Sequence, residues 1–369
     1  MLSLLQISVL VILLAAIANG TPIEKRHDKF IVHELERTEV NLQKRTPSEQ
    51  QNFFDTGNRW STKLKLGSSQ EAVRVILDTG SYRLNVPGLG ATCAKQTCAA
   101  DAVFHPDRSS TFKNLTEGSD SGYGDGSAIT KGYKVNDDLY FDDGRKIPDF
   151  EFDVSTVSAT EIGLFGVGDT DDEKSNYVFA SKHAGLINRA GYSVYLGPND
   201  QGTLLLGGVD KAKYEGELAI FQSEQNINAK SITTPSGKVL PFTKVVGFDT
   251  GNNGLSLDKS IVDEVYIELG GSPWGQFLCD RVLNTGRNLT FDLGPINISV
   301  PLSNFFYRTK VQPAVCNTFI FDDSNTGGLQ GIGLPFLRDV YFVKDLEKKT
   351  IGIAPVKHTD DTDIVDFWF

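Results

Sequence analysis

The chain has 369 residues, 40% hydrophobic and 22% charged, with a formal net charge of −11. That is enough for two domains or two large lobes of a soluble globular protein, each burying its own core. So acidic a body argues against nucleic acid or anionic membrane as a partner; residues 1–45 carry six Lys+Arg and five Asp+Glu, so the remainder stands at −12.

The chain opens with MLSLLQISVLVILLAAIANG, an apolar run with Ala18 and Gly20 at the −3 and −1 places of a cleavage site. It lacks the usual positive start, yet it reads as a signal peptide over residues 1–20 rather than a membrane span. No later segment approaches the ~20 apolar residues of a transmembrane helix. The end, DTDIVDFWF, is too short and too acidic for a lipid-anchor signal. A secreted, extracellular, soluble protein is expected. Two basic pairs follow, Lys25-Arg26 and Lys44-Arg45. Between a signal peptide and the first strand they suggest dibasic processing, with a pro-segment over 21–45 and a mature form beginning near Thr46.

Beyond them, most segments are short alternating or apolar runs closed by Gly, Asp, Asn or Pro, such as STKLKLGS, AVRVILDTG, DLYFDDG, GTLLLGG and YFVKDLEKKTIGIAP. That pattern is all-β with many hairpins. Only NYVFASKHAGL and LDKSIVDEVYIEL read as helices, the second with an apolar face of Ile261, Val262, Val265, Ile267 and Leu269. A faint repeat links VRVILDTGSYRLNVP to KVVGFDTGNNGLSLD, and each half later has an apolar–glycine run, IGLFGVG and GIGLPFL. One β lobe is expected over 46–215, a related one over 216–357, and an acidic tail over 358–369. Related lobes place equivalent loops face to face across a cleft.

Asp-Thr-Gly occurs three times, at Asp55, Asp78 and Asp249, where about 0.1–0.2 copies are expected by chance. No apolar strand leads into Asp55, and only 23 residues separate it from Asp78, too few for a lobe. Asp78 and Asp249 each end an apolar strand and lie 171 residues apart. Asp55 is the decoy. A carboxylate at a strand end, followed by a small residue and Gly, sits on a tight turn with accessible backbone. Two such turns meeting in a cleft would bring two carboxyls within hydrogen-bonding distance. Like charges that close hold one proton between them over an acidic range. The ionised member can then take a proton from water attacking a peptide carbonyl, while the protonated one assists the carbonyl and the leaving nitrogen. The bland alternative is a pair of ordinary turn aspartates.

Cys93, Cys98, Cys279 and Cys316 imply two disulfides on an oxidising route, with three pairings possible; local pairing would put one bridge in each half. A zinc site is the weaker reading, since neither pair has CxxC spacing. Asn114, Asn288 and Asn297 head glycosylation sequons and are expected on surface loops. The acidic run DTDDE (169–173) lacks the glycine and spacing of a calcium loop and is expected to be solvated. Whether the terminal FWF packs on a lobe or docks a partner is left open. No GxSxG elbow, HExxH or P-loop is present, and after processing at Arg45 only His105, His183 and His358 remain.

Taken together, VILDTGS, GYGDGSA (122–128), GLFGVG, YSVYLGP…GTLLLGGVDKAKYEGEL, FDTGN and FLRDVYFVKDLEKKTIGIA resemble the pepsin-like aspartic proteases, most of all the secreted fungal candidapepsin type, over residues 30–356. The resemblance implies two β lobes with the site between them, no cofactor or metal, a monomer, and an inhibitory pro-segment, which KFIVHEL (29–35) resembles in part. It implies acid-limited peptide hydrolysis by Asp78 and Asp249, supported by Thr79, Gly80, Ser81, Thr250, Gly251 and Asn252. Ser81 would hydrogen-bond Asp78. Tyr123, Gly124 and Asp125 would lie on a hairpin flap closing over an extended peptide, and a statine-type inhibitor would bind. The family's disulfides match the local pairing. Departures are Asn85 in place of a tryptophan that normally bonds the flap tyrosine, Tyr82 for a small residue, Asn252 for Thr or Ser, GIGLP for an Ile-Leu-Gly-Asp stretch, and one extra flap residue between Ser127 and Gly132. They keep alive a second expectation, a catalytically weak, protease-like peptide-binding protein; a β-rich lectin or adhesin is the remaining reading.

Overall fold

A computed structural model describes residues 29–39, 58–94, 96–123, 128–223, 226–242, 245–309, 311–322 and 331–369. The expected signal peptide, both Lys-Arg pairs, Asp55, Gly124 and Asp125 lie outside the described residues. One long sheet passes through both halves. From one end it runs Ala219–Gln222, Thr350–Pro355, Val340–Asp345, Gly191–Leu196 and Gln201–Leu206, then β1 (Ile31–Glu39), β2 (Asn58–Leu66) and β3 (Glu71–Asp78). It continues through Gly163–Gly166, β4 (Leu84–Cys93), Lys146–Ser158, Ala128–Tyr140 and Lys113–Tyr123. Backbone bonds between Gly191–Leu196 and Val340–Asp345 therefore tie the two halves together.

The faint sequence repeat is a repeat of structure. In the first half β3 lies parallel to Gly163–Gly166, which in turn pairs antiparallel with β4. In the second, Val245–Phe248 lies parallel to Gly331–Ile332, which pairs antiparallel with Leu255. Each lead strand runs into an Asp-Thr-Gly turn, and each apolar–glycine run supplies the strand that holds it in place.

Alternation along β3 aims the first of these turns. Val73, Val75 and Leu77 point into the main core with Trp60, Leu64 and Phe165. Burying each such side chain is worth about 1.5–3 kcal/mol. Ile76 takes the opposite face, packing with Ala102, Ile162, Leu164 and Tyr123. Asp78, two residues on from Ile76, emerges on that same face.

The two expected helices are present as Tyr177–His183, capped by Asn176 through Val178 and Phe179 N–H, and Lys259–Leu269, closed by Gly270 at φ 68°. The second buries Ile261, Val262, Val265, Tyr266 and Leu269. Ile267 is 76% exposed, so that member of the expected face is corrected. At 100° per residue, 262, 265, 266 and 269 share a stripe and 267 falls outside it. Both disulfides pair locally, Cys93–Cys98 and Cys279–Cys316.

Asn114, Asn288 and Asn297 are all exposed, though each sits at the start of a strand rather than in a loop. The acidic run 169–173 is only partly solvated: Asp169 pairs with buried Lys344 at 2.9 Å and Asp172 with Arg83 at 3.2 Å. The C-terminal stretch folds back. Ile364–Asp366 pairs with Gly208–Asp210, Phe367 and Phe369 pack beside Val209 and Tyr341, and Lys211 lies 4.8 Å over the Trp368 ring.

Candidate active site

The loops after β3 and after Val245–Phe248 clasp each other. Thr79 N–H donates to Thr250 Oγ1 at 3.1 Å, and Thr250 N–H donates to Thr79 Oγ1 at 3.0 Å. Each hydroxyl then donates into the opposite strand, Thr79 to Phe248 O at 3.0 Å and Thr250 to Leu77 O at 2.9 Å. All four bonds are buried, where each unmade partner would cost about 1–3 kcal/mol, so the clasp sets one relative position of the two turns. A larger side chain could not replace either glycine. A Cβ on Gly80 would lie 2.6 Å from the Asp249 carboxyl carbon, and one on Gly251 would lie 2.7 Å from Asp78 Oδ1.

Asp78 and Asp249 are thus side by side: a Cβ on Gly251 would lie within 3.0 Å of an oxygen of each carboxyl. Their supports differ. Asp78 accepts from Gly80 N–H at 2.9 Å through Oδ1 and from Ser81 Oγ at 2.6 Å through Oδ2. Asp249 accepts from Gly251 N–H at 2.7 Å. Burial, followed by the Asp78 charge, pushes the Asp249 carboxyl well above the usual carboxylate range. Asn252, expected as a support able to donate a hydrogen bond, accepts through its Oδ1 from Gly254 N–H at 2.8 Å. Its side chain closes its own turn.

Tyr123 ends the strand Lys113–Tyr123 opposite Ala128, the last described pair of the expected flap hairpin. Its ring packs on Ile76, Ala102, Ile162 and Leu164, and Ser121 hydrogen-bonds its hydroxyl. Burial first, then the charges of Asp78 and Asp153, push that hydroxyl up, so it stays a proton donor throughout the working range. Where the family carries tryptophan, Asn85 is buried in β4 with its backbone beside Asp153 and Leu164.

Two charged neighbours of the site were missed in the sequence. Arg83, five residues after Asp78, forks onto Asp153 (Nε 3.0 Å, Nη2 2.8 Å) and also reaches Glu151 and Asp172. Its charge and that of Asp153 both act on Tyr123, so a charged network borders that tyrosine. Arg59, at the start of β2, is 3% exposed. Burial lowers its pKa to about 10, with the charges of Asp249 and then Asp78 pulling the other way, so it stays charged. A lone Arg in SYRLNVP or NRWSTK gives no signal, because its partners lie far away in the chain.

A family model for eukaryotic aspartyl proteases matches residues 59–356. The chain belongs to that family. It is similar to Secreted aspartic protease 8 of Candida albicans, 30% identical over 335 residues covering 85% of this chain and 80% of the relative. Candidapepsin of Candida tropicalis is 29% identical over 345 residues, covering 85% and 82%. Secreted aspartic protease 10 of Candida albicans is 29% identical over 338 residues, covering 83% and 73%. The chain is an aspartic-type, pepsin-like endopeptidase whose ligands are peptides.

Proposed function

We propose that Asp78 and Asp249 are the catalytic pair of this secreted endopeptidase, hydrolysing peptide bonds at acidic pH with a water held between them. The observation that carries the reading is the reciprocal Thr79–Thr250 clasp, which holds the two carboxyls side by side. The unequal supports divide the work. Two donors complement Asp78 as a carboxylate, whereas Asp249, with one backbone donor, keeps the shared proton.

Asp78 takes a proton from the water as its oxygen bonds to the scissile carbonyl carbon, and Asp249 passes its proton to the carbonyl oxygen. A neutral gem-diol results. One of its hydroxyls returns a proton to Asp249 while Asp78 protonates the amide nitrogen. The C–N bond then breaks, releasing a carboxylic acid and an amine with the pair holding one proton as before. Tyr123, Gly124 and Asp125 form the flap in this reading. The enzyme works as a monomer without a cofactor.

The test is cleavage of a denatured protein between pH 3 and 7 by secreted material, with and without a statine-type inhibitor. Acid-limited, inhibitor-sensitive cleavage is expected. Folded protein that neither cleaves nor binds the inhibitor would overturn the assignment.

A further inference from the structure

Arg83 lies five residues beyond Asp78 and two beyond Ser81, in the short segment that links the first Asp-Thr-Gly turn to β4. Backbone bonds hold that segment to residues 166–168. Val167 N–H donates to Asp78 O at 3.1 Å, Gly168 N–H to Ser81 O at 2.7 Å, and Gly166 N–H to Arg83 O at 3.0 Å. The Arg83 side chain ties the segment elsewhere. Its Nε and Nη2 donate to the two oxygens of Asp153 at 3.0 and 2.8 Å. Nη2 also reaches Glu151 at 3.1 Å, and Nη1 reaches Asp172 at 3.2 Å. Asp153 and Glu151 belong to Lys146–Ser158, which pairs with Ala128–Tyr140, which in turn pairs with Lys113–Tyr123. Asp172 also takes the Ser175 hydroxyl at 2.7 Å, and the next residue, Asn176, donates to Gly168 O at 3.0 Å. One guanidinium therefore joins the segment carrying Ser81 to the sheet that ends in Tyr123 and to the loop braced on Gly168.

Stability alone does not account for such a pair. The Arg83 side chain is 13% exposed and that of Asp153 1%, and a buried ion pair gains little over apolar residues of similar volume. What a planar fork supplies is direction, because its two parallel bonds form at one orientation of guanidinium and carboxylate. Direction matters at both ends. Ser81 Oγ, two residues before Arg83, has to stay within reach of Asp78, where it sits at 2.6 Å. Across the sheet, the Tyr123 ring packs on Ile76 and Leu164, and its hydroxyl feels the charges of Asp78, Asp153 and Arg83.

We propose that Arg83 is a positioning residue of the enzyme, whose fork on Asp153 sets the spacing between the Asp78–Ser81 turn and Tyr123. It acts through Tyr123 rather than on the substrate. A flap tyrosine closing at the wrong height still lets peptide bind, but it holds the scissile carbonyl out of line with the pair. Misplacement by about 1 Å costs on the order of 100-fold in rate. The inference rests on the reading of Asp78 and Asp249 as the catalytic pair.

The test compares the secreted parent with Arg83→Lys and with the paired exchange Arg83→Met plus Asp153→Leu, each with and without Tyr123→Phe. The paired exchange removes the fork without leaving a buried charge, so its Tm should stay near that of the parent. Competent sites are counted by titration with a statine-type inhibitor, which keeps misfolded protein out of kcat. Arg83→Lys keeps the charge and loses the fork. Both it and the paired exchange should lower kcat about 10- to 100-fold, with KM changed less than about threefold. Tyr123→Phe should then cost far less in either background than in the parent, because the tyrosine is already misplaced. Parent-like kcat per site in either variant, or the same Tyr123→Phe loss in every background, overturns the inference. Should the paired exchange fail to fold, Arg83→Lys carries the same readouts. A parent that cleaves nothing sinks the catalytic assignment and this inference together; a parent that cleaves while the variants match it sinks this inference alone.

Discussion

The two Asp-Thr-Gly turns at Asp78 and Asp249 share a strand, a triplet and a clasp, yet they differ in the fourth residue. After the first triplet Ser81 reaches back to its aspartate at 2.6 Å; after the second, Asn252 reaches forward to Gly254. A hydroxyl two bonds from the backbone can bend onto the carboxylate of its own turn. The asparagine amide is longer, and here its oxygen finds a backbone N–H two residues on, as short polar side chains do in turns. Among the described residues, Asp78 gains a second donor and Asp249 does not. Internal duplication supplied two similar turns, and this single position makes them chemically unequal.

The largest test removes the carboxyls. Asp78→Asn and Asp249→Asn should each cut kcat on the order of 10⁴-fold or more, as loss of a member of a concerted catalytic unit does. Asp55→Asn should leave kcat and the pH profile unchanged, and a comparable loss there would break the assignment of the two turns. Ser81→Ala comes next. It removes a charge-assisted bond worth about 1.5–3 kcal/mol, so kcat should fall roughly 10- to 100-fold and the acid limb of its pH profile should move upward. Equal losses from Ser81→Ala and Asn252→Ala would erase the contrast between the turns.

Asp249 also links the site to stability. Its carboxyl is held above its unfolded value by burial and by Asp78, so the folded state binds the proton longer than the unfolded chain does. That contribution is complete below the unfolded carboxylate pKa and is lost as the pH rises through the folded value. Stability should therefore fall from about pH 4 upward, with a limit of about 1.4 kcal/mol per pH unit. Denaturant titrations at pH 4, 5, 6 and 7 should show this slope in the parent and a flatter one in Asp249→Asn. Parallel slopes would mean that Asp249 does not hold the proton.

Much of this was legible because it is local. Apolar runs ending in Asp-Thr-Gly, the internal repeat and two closely spaced cysteine pairs carry their meaning within a few residues. Helical periodicity placed four of five residues on the buried face of Lys259–Leu269 and failed at Ile267, where Tyr266 fills the stripe instead. What stayed hidden depends on distant partners. IVHELERTE alternates like a strand, but nothing in it tells that Leu204 and Ser61 await it on either side. Arg83 owes its role to Glu151, Asp153 and Asp172, which only the fold brings to it. The direction of Asn252 was hidden for another reason: an amide able to donate to Asp249 can equally accept from Gly254, and only the geometry decides.

The smallest effect sharpens the opening contrast most. Asn252→Thr places a hydroxyl where Ser81 has one, within reach of Asp249 in the duplicated turn. A donor to that carboxylate favours its charged form, opposing the burial that raises it. The pair would then release its shared proton earlier, and the alkaline limb of kcat should move down by about one pH unit or less, for about 1.4 kcal/mol per unit. The charges of Arg59 and Asp78 act on Asp249 in parent and variant alike, so they cancel in the comparison. The Gly254 N–H loses its partner at the same time, which lowers Tm without moving the pH limb. A shifted limb identifies Asn252 as the residue that sets the upper pH limit; a lowered Tm with an unmoved limb would confine it to holding its own turn.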